Sequence, residues 1–347
     1  MEILAVGNMK RISNNGKFRI QSLKRLADHV DIIDFGEYSG FRVYEYKMRN
    51  KLFQKGIPIH VRDICGENKR IINKIAEKKY DLVWIEKGLT ISAKTLRRIK
   101  KIFPDIRLIN CTSDNMTMRH NQSQNFLDCI PLYDYHITTK SYIIDDLKKI
   151  GAKKIIFTRK SYEDTFHYPR IVTEEDKENL GGDVGFIGSW EKQRMESILY
   201  LSRNGIRVRV FGEGRWRECI GDNPNLMIDL KGLYDDDYPK SITCFKINLG
   251  FLRKINLDQQ TDRTMEIPAC EGFMLAERTK EHLELFEEGK EAEYFSSNEE
   301  LLKKCQYYLK HEDERMAIAK AGRRRCIESG YSNVETLRTI IEKICFE

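Results

Sequence analysis

Short apolar runs alternate with amphipathic segments along nearly the whole chain, and no other feature limits the possible folds so much. In the first half the runs are "EILAVG" (2–7), "VDIIDFG" (30–36), "DLVWIEKG" (81–88), "IRLINCTS" (106–113), "DYHITTK" (134–140) and "KKIIFT" (153–158). Between them, segments such as "FRIQSLKRLADH" and "NKRIINKIAEKKY" place apolar residues three and four apart, the period of a helix with one buried face. Near-continuous apolar strands joined by helices predict a parallel sheet covered on both faces.

The pattern then restarts. "TEEDKENLGGDV" (173–184) is polar, acidic and ends in paired glycines, which predicts a linker. Strands are expected at 183–189, 206–214, 226–232, 244–252, 273–277 and 292–296, with helices at 191–204, 297–310, 312–329 and 333–346. A chain of 347 residues is long enough for about two domains. The boundaries expected are 1–172 and 183–330, with a helix in 331–347 that packs back on the first domain. Two Rossmann-like α/β domains facing a cleft would bind ligands at the carboxyl ends of their strands.

Composition removes several classes. The chain is 41% hydrophobic and 33% charged, as in ordinary soluble domains. Its nine cysteines are scattered without a C-x-x-C pair, which argues for a reducing compartment and against a disulfide framework. No run approaches the roughly 20 apolar residues of a spanning helix, and "MEILAVGNMK" lacks the basic start of a secretory signal. A cytoplasmic location is expected. The net charge is +7, with basic clusters at 46–51, 94–103 and 322–326 that read first as solvated helix faces. Such faces also suit anionic lipid, so peripheral contact with an anionic membrane stays open. The isoelectric point of 8.8 is short of the value above about 9 that marks a dedicated nucleic-acid domain.

The chemistry gathers in the second half. "VGFIGSWEKQR" runs a strand into Gly188 and places Ser189 where it would cap a helix, an entrance whose backbone amides favour an anion. Arg194, one turn further, would reach the same anion. "VFGEGRW" repeats the design at Gly212. A strand-to-helix turn explains both stretches equally well. In "TDRTMEIPACEGFMLAERT", Pro268 sets a helix entrance near Arg263–Ile267, and Gly272 is expected to end that helix. Arg263 and Glu266 would simply pair on the helix face, or else the arginine neutralises a diphosphate while the glutamate accepts hydrogen bonds from ribose hydroxyls.

The region "NLDQQTDRTMEIPACEGFMLAERTKEHLELFEEGKEAEYFSSNEELLKKCQYYL", with "FIGSW" and "VFGEGRW" before it, resembles GT-B glycosyltransferases of the spore-maturation CgeB-like group. The likeness is good over 183 to about 330 and only in outline before that. It implies transfer of a sugar from a nucleotide diphosphate-sugar to an acceptor that the sequence leaves unidentified, without a bound metal or further cofactor. It places Glu266 on the donor ribose and Asp258, eight positions earlier, near the donor sugar, where the family more often has Glu. That spacing is the basis for expecting a retaining reaction. Arg263 and Arg253 would face the diphosphate, with Gly188, Ser189 and Arg194 across from them. The first domain would hold the acceptor, with Asp114 orienting or deprotonating its hydroxyl; the alternative is that Ser113 or Asp114 caps a helix. His120, His136 and His167 read as structural, and "YDDDYP" (234–239) as caps and solvated charge. Three other readings fit: a nucleotide-sugar epimerase on the same scaffold, a non-catalytic nucleotide-sugar-binding partner, and a DNA-base glycosyltransferase using the basic faces.

Overall fold

The computed structural model describes residues 1–10, 15–35 and 41–346. They form two compact units, Met1–Arg159 joined by the segment from Val334 onward, and Lys160–Asn333.

The first unit is built on strands β1 (Glu2–Gly7), β2 (His29–Asp34), β3 (Leu82–Glu86), β4 (Arg107–Thr112), β5 (Tyr135–Thr138) and β6 (Lys154–Phe157). They lie in the order β2-β1-β3-β4-β5-β6, and every pairing is parallel. Strand β2 was expected to reach Gly36, which lies outside the described residues. All five residues of β3 are buried because both faces are covered. Side chains alternate across the sheet, so Val83 and Ile85 enter one core while Leu82 and Trp84 enter the other. That second core is completed by Leu337, Ile340 and Ile344, spaced three and four apart on the last helix, Asn333–Phe346.

The second unit contains β7 (Gly182–Ile187), β8 (Val208–Phe211), β9 (Leu226–Asp229), β10 (Phe245–Gly250), β11 (Met274–Glu277) and β12 (Glu293–Phe295). Their order is β12-β11-β10-β7-β8-β9, again wholly parallel. The fold class is α/β with two Rossmann-like sheets, as the alternating runs predict.

The segment expected to be a linker is instead structured. Thr173 and Asp176 form a reciprocal capping box that opens helix Glu174–Leu180, and three acidic residues fill its first turn, where the helix dipole favours them. Leu180 is buried, and its carbonyl accepts a hydrogen bond from Ser241. The stretch before it is tied to the second unit as well. Lys160 donates its backbone N–H to Gln260, Ser161 bonds Asn333, and Asn333 in turn donates to Glu163. Polar side chains made this stretch look like a connector because their partners lie far away in sequence.

Candidate functional site

Strand order fixes where a ligand would sit. In the second sheet, the connections run one way from β7 to β8 and β9, and the other way from β10 to β11 and β12, so the switch point lies between β7 and β10. The loops leaving these two strands form the candidate site.

The loop after β7 is held from three sides. The Gly188 amide donates to the Phe211 carbonyl at 2.9 Å, and the Trp216 indole donates to the Gly188 carbonyl at 2.8 Å. Gly212 lies so close that a Cβ there would be 2.4 Å from the Gly188 oxygen and 2.5 Å from Trp216. Its glycine is needed for loop-to-loop contact. Arg194 is buried, donating to the carbonyls of Ser189 (3.0 Å) and Leu252 (2.9 and 3.3 Å). Its guanidinium therefore braces the two switch-point loops against each other. Burial lowers its pKa to about 10, which leaves it charged at neutral pH. The N-cap of helix Lys192–Arg203 lies two residues later than the sequence suggests: Glu191, not Ser189, occupies that position and makes no side-chain cap. Glu191 instead accepts from Arg253 at 3.2 Å and from the Lys254 amide at 3.3 Å. The Arg253 side chain is 49% exposed, so one cation at this edge faces solvent.

The loop after β10 is tied to β11 by Glu277, which accepts from the Leu252 amide at 2.8 Å and contacts the Lys254 ammonium. Leu257 follows with a left-handed φ of 53°, a strained choice for a branched side chain. Asp258 comes next and is buried. Helix Arg263–Ala269 then begins, with Arg263 first and Glu266 in its opening turn, as predicted. Its end differs from expectation. Glu271, not Gly272, takes the left-handed φ of 58°. Gly272 is required by packing, because a Cβ there would sit 2.6 Å from Ile242. The helix is pinned from outside by Thr264, whose hydroxyl meets His282 Nε2 at 2.9 Å while His282 Nδ1 donates to the Glu277 carbonyl at 2.6 Å. Thr279 caps the helix carrying that histidine.

Around Glu266 the charges are unevenly matched. The Tyr238 hydroxyl donates to Glu266 Oε2, and His167 Nε2 lies 3.5 Å from Oε1. Asp262 pairs with Lys160 at 2.9 Å. Arg263 makes no hydrogen bond or ion pair among the described residues, and its Nε is buried without a partner. Burial alone would lower its pKa, yet the surrounding groups, Tyr238, Glu266 and Asp262, hold it above the ordinary arginine value. A buried, unsatisfied donor on a charged group costs more than the roughly 1–3 kcal/mol of a neutral one, so a native protein keeps one only for a reason.

In the first unit the switch point lies between β1 and β3. Asp114, beyond β4, pairs with Lys87 at 2.7 Å, both about one-third exposed, and its amide donates to Thr112. Neither Ser113 nor Asp114 caps the next α-helix, Gln124–Cys129; Ser123 does. Lys87 adopts a φ of 59° directly after β3. Glu86 receives Trp84 Nε1 at 2.8 Å and both Nε and a terminal nitrogen of Arg19 at 2.9 and 2.5 Å.

The structure thus gathers Gly188, Ser189, Arg194, Arg253 and Gly212 at one edge and joins Arg263 to Glu266 on one helix; Asp114 stands in the other unit. Sequence reasoning passed over Tyr238 and Lys87, read Glu277 as structural, and read Trp216 as packing or a border to a nucleotide base. The only traces were a tryptophan after "FGEG", a tyrosine inside an acidic cluster, and charged residues directly following apolar strands. Among the described residues, no three His, Cys, Asp or Glu side chains converge to hold a metal ion. No helix is long and apolar enough to cross a membrane.

Residues 193–342 match the sequence family described as "Glycosyl transferase-like". No curated protein matches the chain. Among solved structures, HepE (Alr3699) from Anabaena, in complex with UDP and glucose, superposes with a TM-score of 0.66 at 13% identity over 100% of both chains. Sucrose-phosphate synthase (tll1590) from Thermosynechococcus elongatus gives 0.70 at 12% identity, covering 100% of this chain and 99% of that one. A glycosyltransferase from Rickettsia africae ESF-5 gives 0.65 at 15%, covering 98% and 97%. The chain is thus an α/β protein of the GT-B glycosyltransferase fold, and its region 193–342 follows the glycosyl transferase-like family.

Proposed function

We propose that the chain transfers a sugar from a nucleotide diphosphate-sugar to a hydroxyl-bearing acceptor, with the donor at the β7/β10 switch point. The observation that carries this reading is Arg263, a half-buried cation whose buried Nε has no partner, beside an oriented carboxylate. A diphosphate would supply the missing acceptor atoms. The sequence match over 193–342 and the UDP-bound HepE structure support the same ligand class.

In this reading Arg263 and the exposed Arg253 neutralise the diphosphate, the Gly188 and Ser189 loop lies against it, and Glu266 accepts from the ribose hydroxyls. Arg194 and Gly212 act one step back, by holding the loops. Asp258 stands near the donor sugar. An acceptor oxygen forms a bond to the anomeric carbon as the bond to the β-phosphate oxygen breaks. The electron pair leaves on the diphosphate, and fixed cations stabilise that charge as it develops. The acceptor proton passes to a base, for which Asp114 of the first unit is the candidate. The "FIGSW" and "VFGEGRW" turns support placement in the CgeB-like group, and the Asp258–Glu266 spacing supports a retaining course without a resident metal. The compartment proposed is the cytoplasm, with the basic faces available to an anionic membrane if the acceptor is lipid-linked.

The test is thermal unfolding of the intact protein with UDP, GDP, dTDP, ADP and CMP-sugar panels. Ligand at about 100 times its Kd should stabilise the fold by roughly 2.7 kcal/mol. Arg263→Ala should weaken the productive nucleotide at least tenfold, and Arg253→Ala less. Undiminished shifts in Arg263→Ala would place the donor elsewhere, and no shift with any nucleotide would favour a non-catalytic partner.

A further inference from the structure

We propose that His167 and Tyr238 are positioning residues: they hold the Glu266 carboxylate in the orientation that recognises the vicinal hydroxyls of the donor ribose, and so set selectivity for ribonucleotides. The inference rests on the donor site proposed above.

The geometry begins with the histidine's tautomer. His167 Nδ1 accepts the backbone N–H of Glu163 at 3.0 Å. In the neutral ring this leaves the proton on Nε2, the atom that lies 3.5 Å from Glu266 Oε1. The ring is 3% exposed. Burial keeps it neutral by lowering its proton affinity, even though Glu266, Glu163 and Asp262 pull the other way. The imidazole therefore presents an oriented N–H dipole and leaves the glutamate's charge uncancelled. On the other oxygen, the buried Tyr238 hydroxyl donates directly to Oε2.

A carboxylate offers about four lone-pair positions. Tyr238 engages one by a hydrogen bond and the His167 N–H faces the other oxygen at 3.5 Å, while the remainder are free to accept from a pair of adjacent hydroxyls. The Glu266 side chain is 10% exposed, which leaves it an opening. The two supports also lock each other. The His167 ring packs edge-on to Tyr238, with centroids 6.0 Å apart at 81°, and to Phe166 at 4.9 Å and 83°. They arrive from different places in the chain: His167 from the stretch that opens the second unit, Tyr238 from helix Asp237–Cys244, and Glu266 from helix Arg263–Ala269. A diol is recognised by two parallel hydrogen bonds, so a carboxylate that turns freely recognises it poorly. Fixing both oxygens from behind turns Glu266 from a surface charge into a fork.

The test compares affinities of the intact chain for UDP, GDP and ADP with those for the same diphosphates in 2′-deoxy form, measured by titration calorimetry. The readout is the ratio of deoxy to ribo Kd for the nucleotide that binds, which a merely structural role would leave unchanged. The wild-type ratio should be tenfold or more, and Glu266→Gln should bring it towards one. Tyr238→Phe, which removes a single oxygen, and His167→Phe should each reduce the ratio at least threefold. His167→Gln, which restores an N–H donor, should recover part of it. A wild-type ratio retained in Tyr238→Phe and His167→Phe, while Glu266→Gln loses it, would overturn this inference and leave the ribose role of Glu266 standing. A ratio that survives Glu266→Gln, or no binding by any of the diphosphates, would overturn the ribose reading and this inference together. If His167→Phe does not fold, Tyr238→Phe carries the decision.

Discussion

The two sheets have six parallel strands each, yet their carboxyl edges treat charge differently. At the switch point of the first unit the charges satisfy one another: Arg19 closes on Glu86, and Lys87 on Asp114. In the second, Arg194 is spent on two loop carbonyls and Arg253 on Glu191, but Arg263 is left with a buried, unpaired nitrogen. Where cations and anions are matched, the protein is holding itself together. Where a cation's buried nitrogen is left over, the proposed donor would supply the missing partner. The first unit offers a ligand only a loose pair to open, since a one-third-exposed ion pair such as Lys87–Asp114 is worth at most about 1 kcal/mol.

This contrast can be broken most forcefully at the half-buried Arg19 and the buried Arg194. Arg19→Ala leaves Glu86 as an uncompensated buried charge and should cost about 3–5 kcal/mol. Arg194→Ala leaves loop carbonyls unpaired and removes a 3.8 Å contact with Glu191, which keeps Arg253 as a partner; it should cost about 1–3 kcal/mol, while abolishing nucleotide-induced stabilisation by freeing both loops. Denaturant midpoints with and without UDP would show both effects. Equal costs, or retained nucleotide binding in Arg194→Ala, would erase the distinction.

Acid separates the units next. Burial lowers His136 in the first unit and His282 in the second to about 4, and lowers His167 in the second as well. The unfolded chain takes up these protons first as pH falls below about 6.5, so the stability they contribute is complete above that pH and lost towards 4, up to about 3 kcal/mol per buried group. Glu67 in the first unit works in the opposite sense. Burial and its neighbour Asp63 raise it to about 7, so its contribution is present at low pH and disappears as pH rises through 7. Between pH 7 and 5 the second unit should therefore lose protection faster than the first, as read by hydrogen exchange on the whole chain. Faster loss in the first unit would contradict the assignment.

A smaller effect sharpens the account of the site loop. Gly212→Ala drives a methyl against the Gly188 oxygen and Trp216, and should cost about 1–3 kcal/mol. Gly221→Ala meets nothing within 4 Å and should be neutral within about 0.5 kcal/mol. A small stability change is expected for Asp114→Asn, under about 1 kcal/mol, with a loss of transfer activity far larger than the loss of stability. Equal loss of both would make Asp114 structural.

Much of the architecture is legible in the chain because parallel strands are buried on both faces. A run such as "LVWIE" has few other uses, and all the expected strands form. The place of Arg263 and Glu266 at a helix entrance was legible too, since local rules set that entrance where Pro268 permits it. The supports of the site were not. Tyr238 sits inside an acidic cluster and His167 in an irregular segment, and nothing local says that either meets Glu266. The acidic stretch from Thr173 misled for the same reason: its caps are local, but the contacts that make it part of the second unit come from Ser241 and Lys240.

What the chain carries in its own order is therefore periodicity: which segments are strands, which are helices, where turns fall, and which charges crowd a helix entrance. These follow from short-range sterics and from the repeat of apolar side chains. The order of strands within each sheet, the closure of the first core by Leu337, Ile340 and Ile344, and the meeting of Arg194 with Leu252 were settled by packing. Each of those joins residues far apart along the chain, and the free energy that selects them belongs to buried surface and satisfied polar groups that exist only once the sheets are assembled.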